Sequence, residues 1–250
     1  MSNPFASHIQ KHARFLKLST LPHIYQDLAK KSATSKLSYE EFLALLLEQE
    51  VTKKTESSVQ RRVSTAKFPF VKTLEEFDFS FQPTLNEKEI CRLATLDFID
   101  QKENVLLLGP PGVGKSHLAI ALGIKACSAR LRTHFTTVHA LIKELAIAEK
   151  EGSLVDKLAY FSRLHLLIID EMGYMPISNH EANLLFQLIA IRYEKGSLIL
   201  TSNFNFDEWG RFFPDSVVAA AIIDRLVHHA HLFFVSGHSY RLKDKLSRQA

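Results

Sequence analysis

The first third of the chain carries apolar residues at helical spacing and almost no strand pattern. The stretch "LSYEEFLALLLEQEV", residues 37–51, repeats its apolar positions every three to four residues. Ser38, followed three residues later by Glu41, matches a capping box and predicts that the helix begins there. The segments "HARFLKL" and "HIYQDLAKK" upstream are also helical in composition. The pattern predicts a small all-helical N-terminal domain over residues 1–67.

Beyond residue 84, short apolar runs alternate with helical patterns. The apolar runs are "NVLLLG", "THFTTV", "LHLLIID", "SLILTSN" and "HLFFVS". The helical pattern before the fourth run opens with a capping box, Ser178 and Glu181, and is predicted to end at Gly196. Strands that are apolar throughout and alternate with helices are typical of parallel sheets. The fold class predicted is α/β, a five-stranded parallel sheet with helices on both faces.

An aromatic segment joins the two parts. The stretch "FPFVKTLEEFDFSFQPTLNEKEI" contains two prolines and predicts an extended linker over residues 68–84, which leads into a second domain spanning 68–250. Phe77, Phe79 and Phe81 alternate along it and are expected on one face of a strand. Aromatic side chains on one face can stack on bases, but packing against the second domain is the favoured interpretation.

The composition narrows the class of protein. Of the 250 residues, 46% are hydrophobic and 23% are charged, as in soluble globular proteins. The polar start and the lack of a long apolar run predict neither a signal peptide nor a membrane span. The two cysteines, Cys91 and Cys127, form no C-x-x-C pair. That spacing favours a reducing, cytoplasmic location over a disulfide or zinc framework.

The positive charge is concentrated near the start of the chain. Residues 1–72 hold twelve Lys and Arg against six Asp and Glu, while the net charge of the whole chain is +4. A basic lobe of this kind favours DNA as a partner, held mostly through its phosphate backbone with little sequence specificity. A solvated helical surface explains the same charge equally well.

The sequence "GPPGVGKS" matches the phosphate-binding pattern G-x-x-x-x-G-K-[ST] and lies between a predicted buried strand and a predicted helix. The residues predicted to bind the nucleotide there are Gly109, Pro110, Pro111, Gly112, Val113, Gly114, Lys115 and Ser116. The glycines allow successive N–H groups to turn towards phosphate oxygens. Lys115 is expected at the β- and γ-phosphates of ATP, and Ser116 at Mg²⁺.

Polar residues end two of the predicted strands. Asp170 and Glu171 follow the apolar residues of "LLIIDE". Asp170 is predicted to help hold Mg²⁺ and Glu171 to act as the base for the attacking water, with helix capping as the plain alternative. Asn203 ends "LILTSN" and is a candidate for positioning the same water, although a turn residue is equally expected there.

Two arginines and a histidine cluster accompany the last predicted helix and strand. An arginine from a neighbouring subunit can neutralise charge on the γ-phosphate, and Arg225 and Arg241 are the candidates. Lone arginines more commonly form surface ion pairs. The motif "HHAH" (His228, His229 and His231) invites comparison with a metal site. No carboxylate or cysteine neighbour completes it in the sequence, so no metal is expected there.

Taken together, these segments resemble the AAA+ ATPases, and specifically the IstB-type transposition helpers, which are related to bacterial helicase loaders and replication initiators. The resemblance covers nearly the whole chain. It is carried by "NVLLLGPPGVGKSHLAIALG", "LLIIDEMGYMP", "LLFQLIAIRYEKGSLILTSN", "EWGRFF", "AAIIDRLVHHAH" and "GHSYRLK", with "LSYEEFLALLLEQE" and "AKFPFVKTLEEFDF" upstream.

The resemblance implies a role for each candidate residue. It implies that Lys115 and Ser116 belong to Walker A, Asp170 and Glu171 to Walker B, and Asn203 to sensor 1. It also implies that Arg225 is the arginine finger and that Arg241 belongs to sensor 2. The helical patterns between the second and third strands resemble the insertion of the initiator branch, and their basic residues are candidates for gripping DNA: Lys143, Lys150, Lys157 and Arg163. Only thirteen residues follow Gly237, which implies a truncated lid.

The favoured hypothesis is a DNA-binding ATPase that assembles as a homo-oligomer with ATP and assists a transposase. ATP would join subunits through Arg225, and hydrolysis to ADP and phosphate would dismantle them. A replicative helicase loader is the alternative. A P-loop kinase for a small molecule is less favoured, because Asn203 and the basic helical domain are untypical of one. Glu171 argues against a module that only holds ATP.

Overall fold

The computed structural model describes residues 4–242 and divides into two compact units between Arg61 and Arg62. This division falls inside a helix, whereas the sequence predicted a boundary between residues 67 and 68. The assignment of the first domain to DNA or partner binding, and of the second to ATP hydrolysis, stays a prediction. Residues 243–250, which belong to the predicted short tail, lie outside the described part of the chain.

The first unit is built from helices, as predicted. Helix α1 spans Ala6–Phe15, α2 spans Leu21–Thr34, and α3 begins at Tyr39 and continues to Thr65. The capping box at the start of α3 is confirmed. The N–H of Ser38 donates to Glu41 Oε2 at 2.6 Å, and the N–H of Glu41 donates to Ser38 Oγ at 3.1 Å.

The second unit contains five strands and seven further α-helices among its described residues. In chain order these elements are α4 (Glu87–Leu93), α5 (Asp97–Asp100), β1 (Asn104–Leu108), α6 (Lys115–Ser128), β2 (Thr133–Thr137), α7 (Val138–Lys150), α8 (Leu154–Ser162), β3 (Leu166–Met172), α9 (Asn179–Arg192), β4 (Ser197–Ser202), α10 (Ser216–Val227) and β5 (Ala230–Phe234). The predicted strand and helix order is confirmed. The short helices α4 and α5 were not predicted.

All pairs of neighbouring strands are parallel, and the order across the sheet is β2-β3-β4-β1-β5. Strand β1 therefore lies between β4 and β5, so its carboxyl end is beside that of β4, with Leu108 paired to Ser202. The carboxyl ends of parallel strands meet at one edge of a sheet, where ligands bind. This order brings the segments that follow β1, β3 and β4 together.

Both faces of the sheet are covered, because successive strand residues point to opposite sides. In β1, Leu106 packs into a buried cluster with residues of α7, α9 and α10. Its neighbours Val105 and Leu107 pack into a second cluster with residues of α4, α5 and α6. The prediction of helices on both faces is confirmed.

The predicted aromatic strand in the linker is wrong. Residues Phe79–Phe81 form a short 3₁₀ helix, capped by Asp78, whose side chain accepts a hydrogen bond from the N–H of Phe81 at 3.3 Å. A strand would have needed a neighbouring strand to pair with. Packing against the second unit is confirmed for Phe77 and Phe79, which lie against the cluster beside α6.

Helix α9 ends earlier than predicted. Its capping box, Ser178 and Glu181, is present, but the helix stops at Arg192 and not at Gly196. The buried guanidinium of Arg192 donates to the carbonyl oxygens of Leu164 at 3.2 Å and Ser197 at 2.8 Å. A Cβ at residue 196 would lie 2.7 Å from that guanidinium, so Gly196 is needed for close packing and does not act as the helix cap.

Across residues 4–242, no helix combines the length and the hydropathy that spanning a membrane requires.

A buried carboxylate organises the first unit. Glu50 of α3 is 2% exposed and accepts hydrogen bonds from the N–H groups of Ser19, Thr20 and Leu21, each at 2.8 Å. These N–H groups lie at the start of α2, where the helix itself offers no acceptor. Glu50 therefore joins α3 to the N-terminal end of α2 and places a negative charge at the positive end of that helix.

Replacing Glu50 with alanine is expected to lower the free energy of unfolding of the first unit by about 2–3 kcal/mol, because buried N–H donors lose a charged acceptor. Local hydrogen exchange of the α2 amides measures this directly. The matched control is Glu48→Ala, an exposed position on the same helix, which should change the same protection by less than about 0.5 kcal/mol. Equal protection in the Glu50 variant and in the unaltered protein would contradict the assignment.

Candidate nucleotide-binding site

A cavity of about 450 Å³ opens at the carboxyl edge of the sheet, where β1, β3 and β4 end. Nine of the predicted site residues line it: Pro111, Gly112, Val113, Gly114, Lys115, Ser116, Glu171, Asn203 and Arg241. Three more, Gly109, Pro110 and Asp170, are hydrogen-bonded to lining residues. Arg225 does not line the cavity.

The loop after β1 adopts a backbone that requires glycine. Gly112 has a φ of 86° and Gly114 a φ of 103°, both in the left-handed region. A Cβ on Gly112 would lie 2.1 Å from Ser239 Oγ, and one on Gly114 would lie 2.6 Å from the Phe77 ring. Gly114 is also the N-cap of α6, which begins at Lys115. The loop thus delivers the chain to a helix N-terminus, where backbone N–H groups and the helix dipole favour an anion.

Lys115 lies buried at the base of this loop. Its Nζ donates to the carbonyl oxygens of Gly109 and Pro110, each at 2.7 Å, and to Asn203 Oδ1 at 2.8 Å. Desolvation is the largest influence and lowers the pKa of Lys115 to about 8; the carboxylate of Asp170 opposes this and the charge of Arg241 adds to it. Asn203, from the end of β4, therefore contacts the phosphate-loop lysine directly.

Ser116 and Asp170 meet as a hydroxyl–carboxylate pair. Ser116 Oγ donates to Asp170 Oδ1 at 2.9 Å, and Thr201 Oγ1 donates to the same carboxylate oxygen. Asp170 is buried, with 7% of its surface exposed. Hard oxygen ligands of this kind suit Mg²⁺, which binds through one or two protein oxygens together with phosphates and water. The donor set fits that ion.

Thr201 is a residue of the site that the sequence did not identify. It is a buried polar residue of β4, paired across the sheet with Leu107, and its hydroxyl contacts both Asp170 and Glu171. Besides donating to Asp170, it accepts a hydrogen bond from the N–H of Glu171 at 3.1 Å. The only signal in the sequence is a threonine inside an otherwise apolar run, which strand propensity alone also explains.

Glu171 lies at an irregular point of β3. The register between β3 and β4 shifts between Ile169 and Met172, and Glu171 takes a left-handed φ of 63°. That backbone costs a non-glycine residue roughly 1–2 kcal/mol. The irregularity turns the side chain out of the buried strand and into the cavity, where it is exposed. Strained residues of this kind cluster at functional sites.

The last described residues close one side of the cavity. The N–H of Tyr240 donates to the carbonyl oxygen of Gly112 at 2.9 Å, and Arg241 lines the cavity beside it. The linker reaches the same place, because Gln82 Nε2 donates to the carbonyl oxygen of His238 at 3.1 Å. Phe77, Gln82 and Tyr240 are lining residues that the sequence did not identify. Their contacts depend on the path of two irregular segments.

Arg225 lies on α10, away from this cavity. Its Nη1 donates to the carbonyl oxygen of Ala221 at 2.8 Å, and its guanidinium carbon lies 4.9 Å from the centre of the Phe186 ring. Arg225 therefore does not reach the nucleotide cavity of its own chain. Its role at the site of a neighbouring subunit stays a prediction.

The basic candidates on α7 and α8 differ in their surroundings. Lys143 and Lys150 are exposed on α7, and Arg163 is exposed at the end of α8. Lys157 Nζ instead forms an ion pair with Glu144 at 2.8 Å, which reduces the charge it offers to a partner. The contact of this surface with DNA stays a prediction.

The expectation that no carboxylate accompanies the histidine motif is wrong. Glu194, far away in the sequence, lies beside His228 and His229. His231 is separate from them and contacts Glu103 Oε2 at 2.8 Å. The sequence could not show this, because the turn after α9 and the end of α10 come together only in the fold.

The strand order, the phosphate loop after β1 and the acidic end of β3 define the AAA+ P-loop fold. The solved structure of the DnaC helicase loader has this fold, with a TM-score of 0.52 and 21% sequence identity over 60% of this chain and 87% of that one. The chain belongs to the family of IstB-like ATP-binding proteins, whose family model matches residues 11–248.

Two curated relatives span nearly the same length. A protein of Geobacillus stearothermophilus, named as a putative ATP-binding protein of insertion sequence IS5376, is 45% identical over 95% of this chain and 94% of its own length. Its counterpart named for insertion sequence IS21, from Pseudomonas aeruginosa, is 46% identical over 92% of this chain and 87% of its own. These likenesses cover both units.

The lowered pKa of Lys115 predicts how nucleotide affinity depends on pH. The charged amine binds phosphate, so affinity is expected to be highest below about pH 8 and to fall as the pH rises through that value. If Lys115 titrates only in the free protein, the affinity falls by up to about tenfold for each pH unit above that value. This corresponds to about 1.4 kcal/mol of binding free energy per pH unit. Equilibrium binding of a fluorescent ATP analogue between pH 7 and 9.5 measures it.

Lys72, another lysine that lines the cavity, provides the matched control. Lys72→Gln should keep the pH dependence, whereas Lys115→Ala should bind weakly at every pH. An affinity that stays constant from pH 7 to 9.5 in the unaltered protein, or a dependence that disappears with Lys72, would show that Lys115 is not the titrating group.

Proposed function

We propose that the protein is a DNA-binding ATPase that assembles with ATP into a homo-oligomer and assists a transposase. The observation that supports this most directly is the division of the catalytic residues. Glu171, Lys115 and Asn203 converge on the cavity, whereas Arg225 lies outside it. Arg241 lines the cavity within the chain, but Arg225, the predicted arginine finger, does not, so the site is suited to completion by Arg225 of a second copy.

Within the cavity, each residue has a defined task. Lys115 binds the β- and γ-phosphates in place of the carbonyl oxygens of Gly109 and Pro110. Ser116 and Asp170 would hold Mg²⁺, which neutralises charge on the phosphates when bound. Arg241, beside Lys115, adds a further cation to the wall that faces the phosphates.

Hydrolysis requires a water molecule aligned with the γ-phosphorus. Glu171 accepts a proton from this water as its oxygen attacks, and the bond from the γ-phosphorus to the bridging oxygen breaks, which leaves ADP and phosphate. Asn203 orients the water with a neutral amide, and its present contact with Lys115 places it beside the phosphate loop. Thr201 fixes the backbone of Glu171 and the carboxylate of Asp170 together.

Two observations support a role on DNA in transposition. The basic excess lies in residues 1–72, and exposed Lys143, Lys150 and Arg163 add cations on the second unit. The relatives that match over almost the full length are named for insertion sequences. The fold is shared with a helicase loader at 21% identity, so helicase loading is the second candidate. The insertion-sequence relatives, at 45% and 46%, favour transposition.

DNA affinity is expected to rise when ATP or a slowly hydrolysed analogue is present, because nucleotide joins subunits whose basic surfaces then act together. Affinity should also fall as salt increases, since phosphate contacts release counterions. Fluorescence anisotropy with duplex DNA, with and without nucleotide at several salt concentrations, tests both. Lys115→Ala should show the low affinity in both conditions. The same affinity with and without nucleotide in the unaltered protein would contradict the proposal.

Arg225→Ala is expected to leave ATP binding nearly unchanged and to lower the hydrolysis rate by about 10³-fold or more, since it removes an arginine finger. Glu171→Gln should also bind ATP and hydrolyse it slowly. Steady-state phosphate release and nucleotide binding distinguish these effects. Arg211→Ala is the matched control, because Arg211 is an exposed arginine, 82% accessible, whose ion pair to Glu208 is long at 3.8 Å.

Mixing the two inactive variants tests whether the site is shared. A subunit that carries Arg225→Ala keeps its Glu171, and a neighbour that carries Glu171→Gln supplies its Arg225. In a random equal mixture about one interface in four is complete, so activity should return to a measurable fraction. If mixed oligomers form and no activity returns, Arg225 does not act between subunits.

A further inference from the structure

Three side chains of metal-ligand type meet on the surface of the second unit, apart from the nucleotide cavity. Glu194 lies in the turn between α9 and β4, and His228 and His229 lie at the carboxyl end of α10. One ligand atom from each residue lies within 4.8 Å of those from the other two, and all three residues are exposed. No other group of three His, Cys, Asp or Glu residues in the described chain meets this condition.

The separation of two of these groups suits a shared metal ion better than a hydrogen bond. His229 Nε2 and Glu194 Oε1 are 3.5 Å apart. An N–H···O hydrogen bond is shorter, at about 2.7–3.2 Å. Two ligands that each bind one zinc ion at about 2.0–2.2 Å in tetrahedral geometry are separated by roughly 3.3–3.6 Å. The pair is therefore spaced like two corners of one coordination tetrahedron.

The third ligand is held in place by a neighbour. The Tyr193 hydroxyl lies 2.6 Å from His228 Nδ1, and the two rings are stacked with their centres 6.0 Å apart. The ring centres of His228 and His229 are 4.0 Å apart and the ring planes are tilted by 53°, so the two imidazoles are in contact. A histidine that binds a metal through one ring nitrogen is commonly oriented by a hydrogen bond at its other ring nitrogen.

The backbone at Glu194 takes a conformation that is unusual for this residue type. Glu194 takes a left-handed φ of 56°, a conformation in which glycine or asparagine is usual, yet its carboxylate faces the histidines.

We propose that Glu194, His228 and His229 form a binding site for a divalent transition-metal ion of the zinc type. Two imidazole nitrogens and one carboxylate oxygen are a ligand set for zinc, with water in the fourth position. The oxygen ligands Ser116 and Asp170 of the nucleotide cavity suit magnesium instead. A bound ion links the turn after α9 to the end of α10, one helical turn beyond Arg225.

Isothermal titration of the metal-free, full-length protein with Zn²⁺ tests the proposal in the absence of nucleotide. Because the chain has 12 histidines that offer weak secondary sites, the comparison is between variants. The unaltered protein is expected to show one tight equivalent per chain. That equivalent should be lost in a double variant with His228→Ala and His229→Ala, and should bind at least about tenfold more weakly in Glu194→Gln.

Two further variants distinguish zinc binding by this cluster from weak zinc binding by other histidines of the chain. Tyr193→Phe removes the hydroxyl that orients His228 and should weaken binding by about 10–100-fold. His231→Ala is the matched control, since His231 pairs with Glu103 outside the cluster, and it should bind as the unaltered protein does. Circular dichroism of the metal-free variants checks that each is folded.

The proposal is overturned if the double variant keeps the tight equivalent, or if His231→Ala loses it to the same extent. Should the double variant be misfolded, Glu194→Gln decides the question, because it changes only one ligand's charge at an exposed position. Unchanged zinc affinity in a folded Glu194→Gln protein also overturns it.

Discussion

The buried carboxylate of Asp170 is the group on which the candidate site depends. It accepts hydrogen bonds from Ser116 at the start of α6 and from Thr201 in β4, so it ties two separate segments to the end of β3. A buried carboxylate is stable only where donors and cations surround it. The parallel order of the strands supplies them, because it places the segments after β1 and β4 beside β3. The same arrangement gives the cavity an oxygen donor set that fits Mg²⁺.

Lys115 is a buried cation, so its charge needs the opposite kind of compensation from that of Asp170. Its amine lies in a low-dielectric position and is satisfied by two carbonyl oxygens and Asn203, all neutral groups. Asp170 compensates only partly for desolvation, so the charged form is less stable than it would be in water. In the proposed function, phosphate oxygens supply the missing negative charge. The bound nucleotide would then relieve an electrostatic cost that the protein alone retains.

The apolar runs were sufficient to predict the five strands, and the phosphate loop and the acids of β3 were predicted because their spacing reflects local chemistry. What could not be predicted depends on distant parts of the chain. Thr201 reads as an ordinary strand residue until β4 is placed beside Asp170. Gly196 reads as a helix cap until the Arg192 side chain is seen to pack against it. Glu194 joins the histidines only through the fold, and Phe79–Phe81 forms a 3₁₀ helix capped by Asp78, although its alternating aromatic residues predicted a strand.

The hydrogen bond from Tyr240 to Gly112 links the phosphate loop to almost the last described residues of the chain. On the other side, Phe77 and Gln82 come from the start of the second unit. The walls of the cavity therefore span more than half of the sequence. During synthesis a chain emerges from its N-terminus, so the phosphate loop leaves the ribosome long before the residues that enclose it. The cavity can be enclosed only after β5 has been synthesised and has paired with β1. Nucleotide binding in the enclosed cavity is therefore a late event in the synthesis and folding of each molecule.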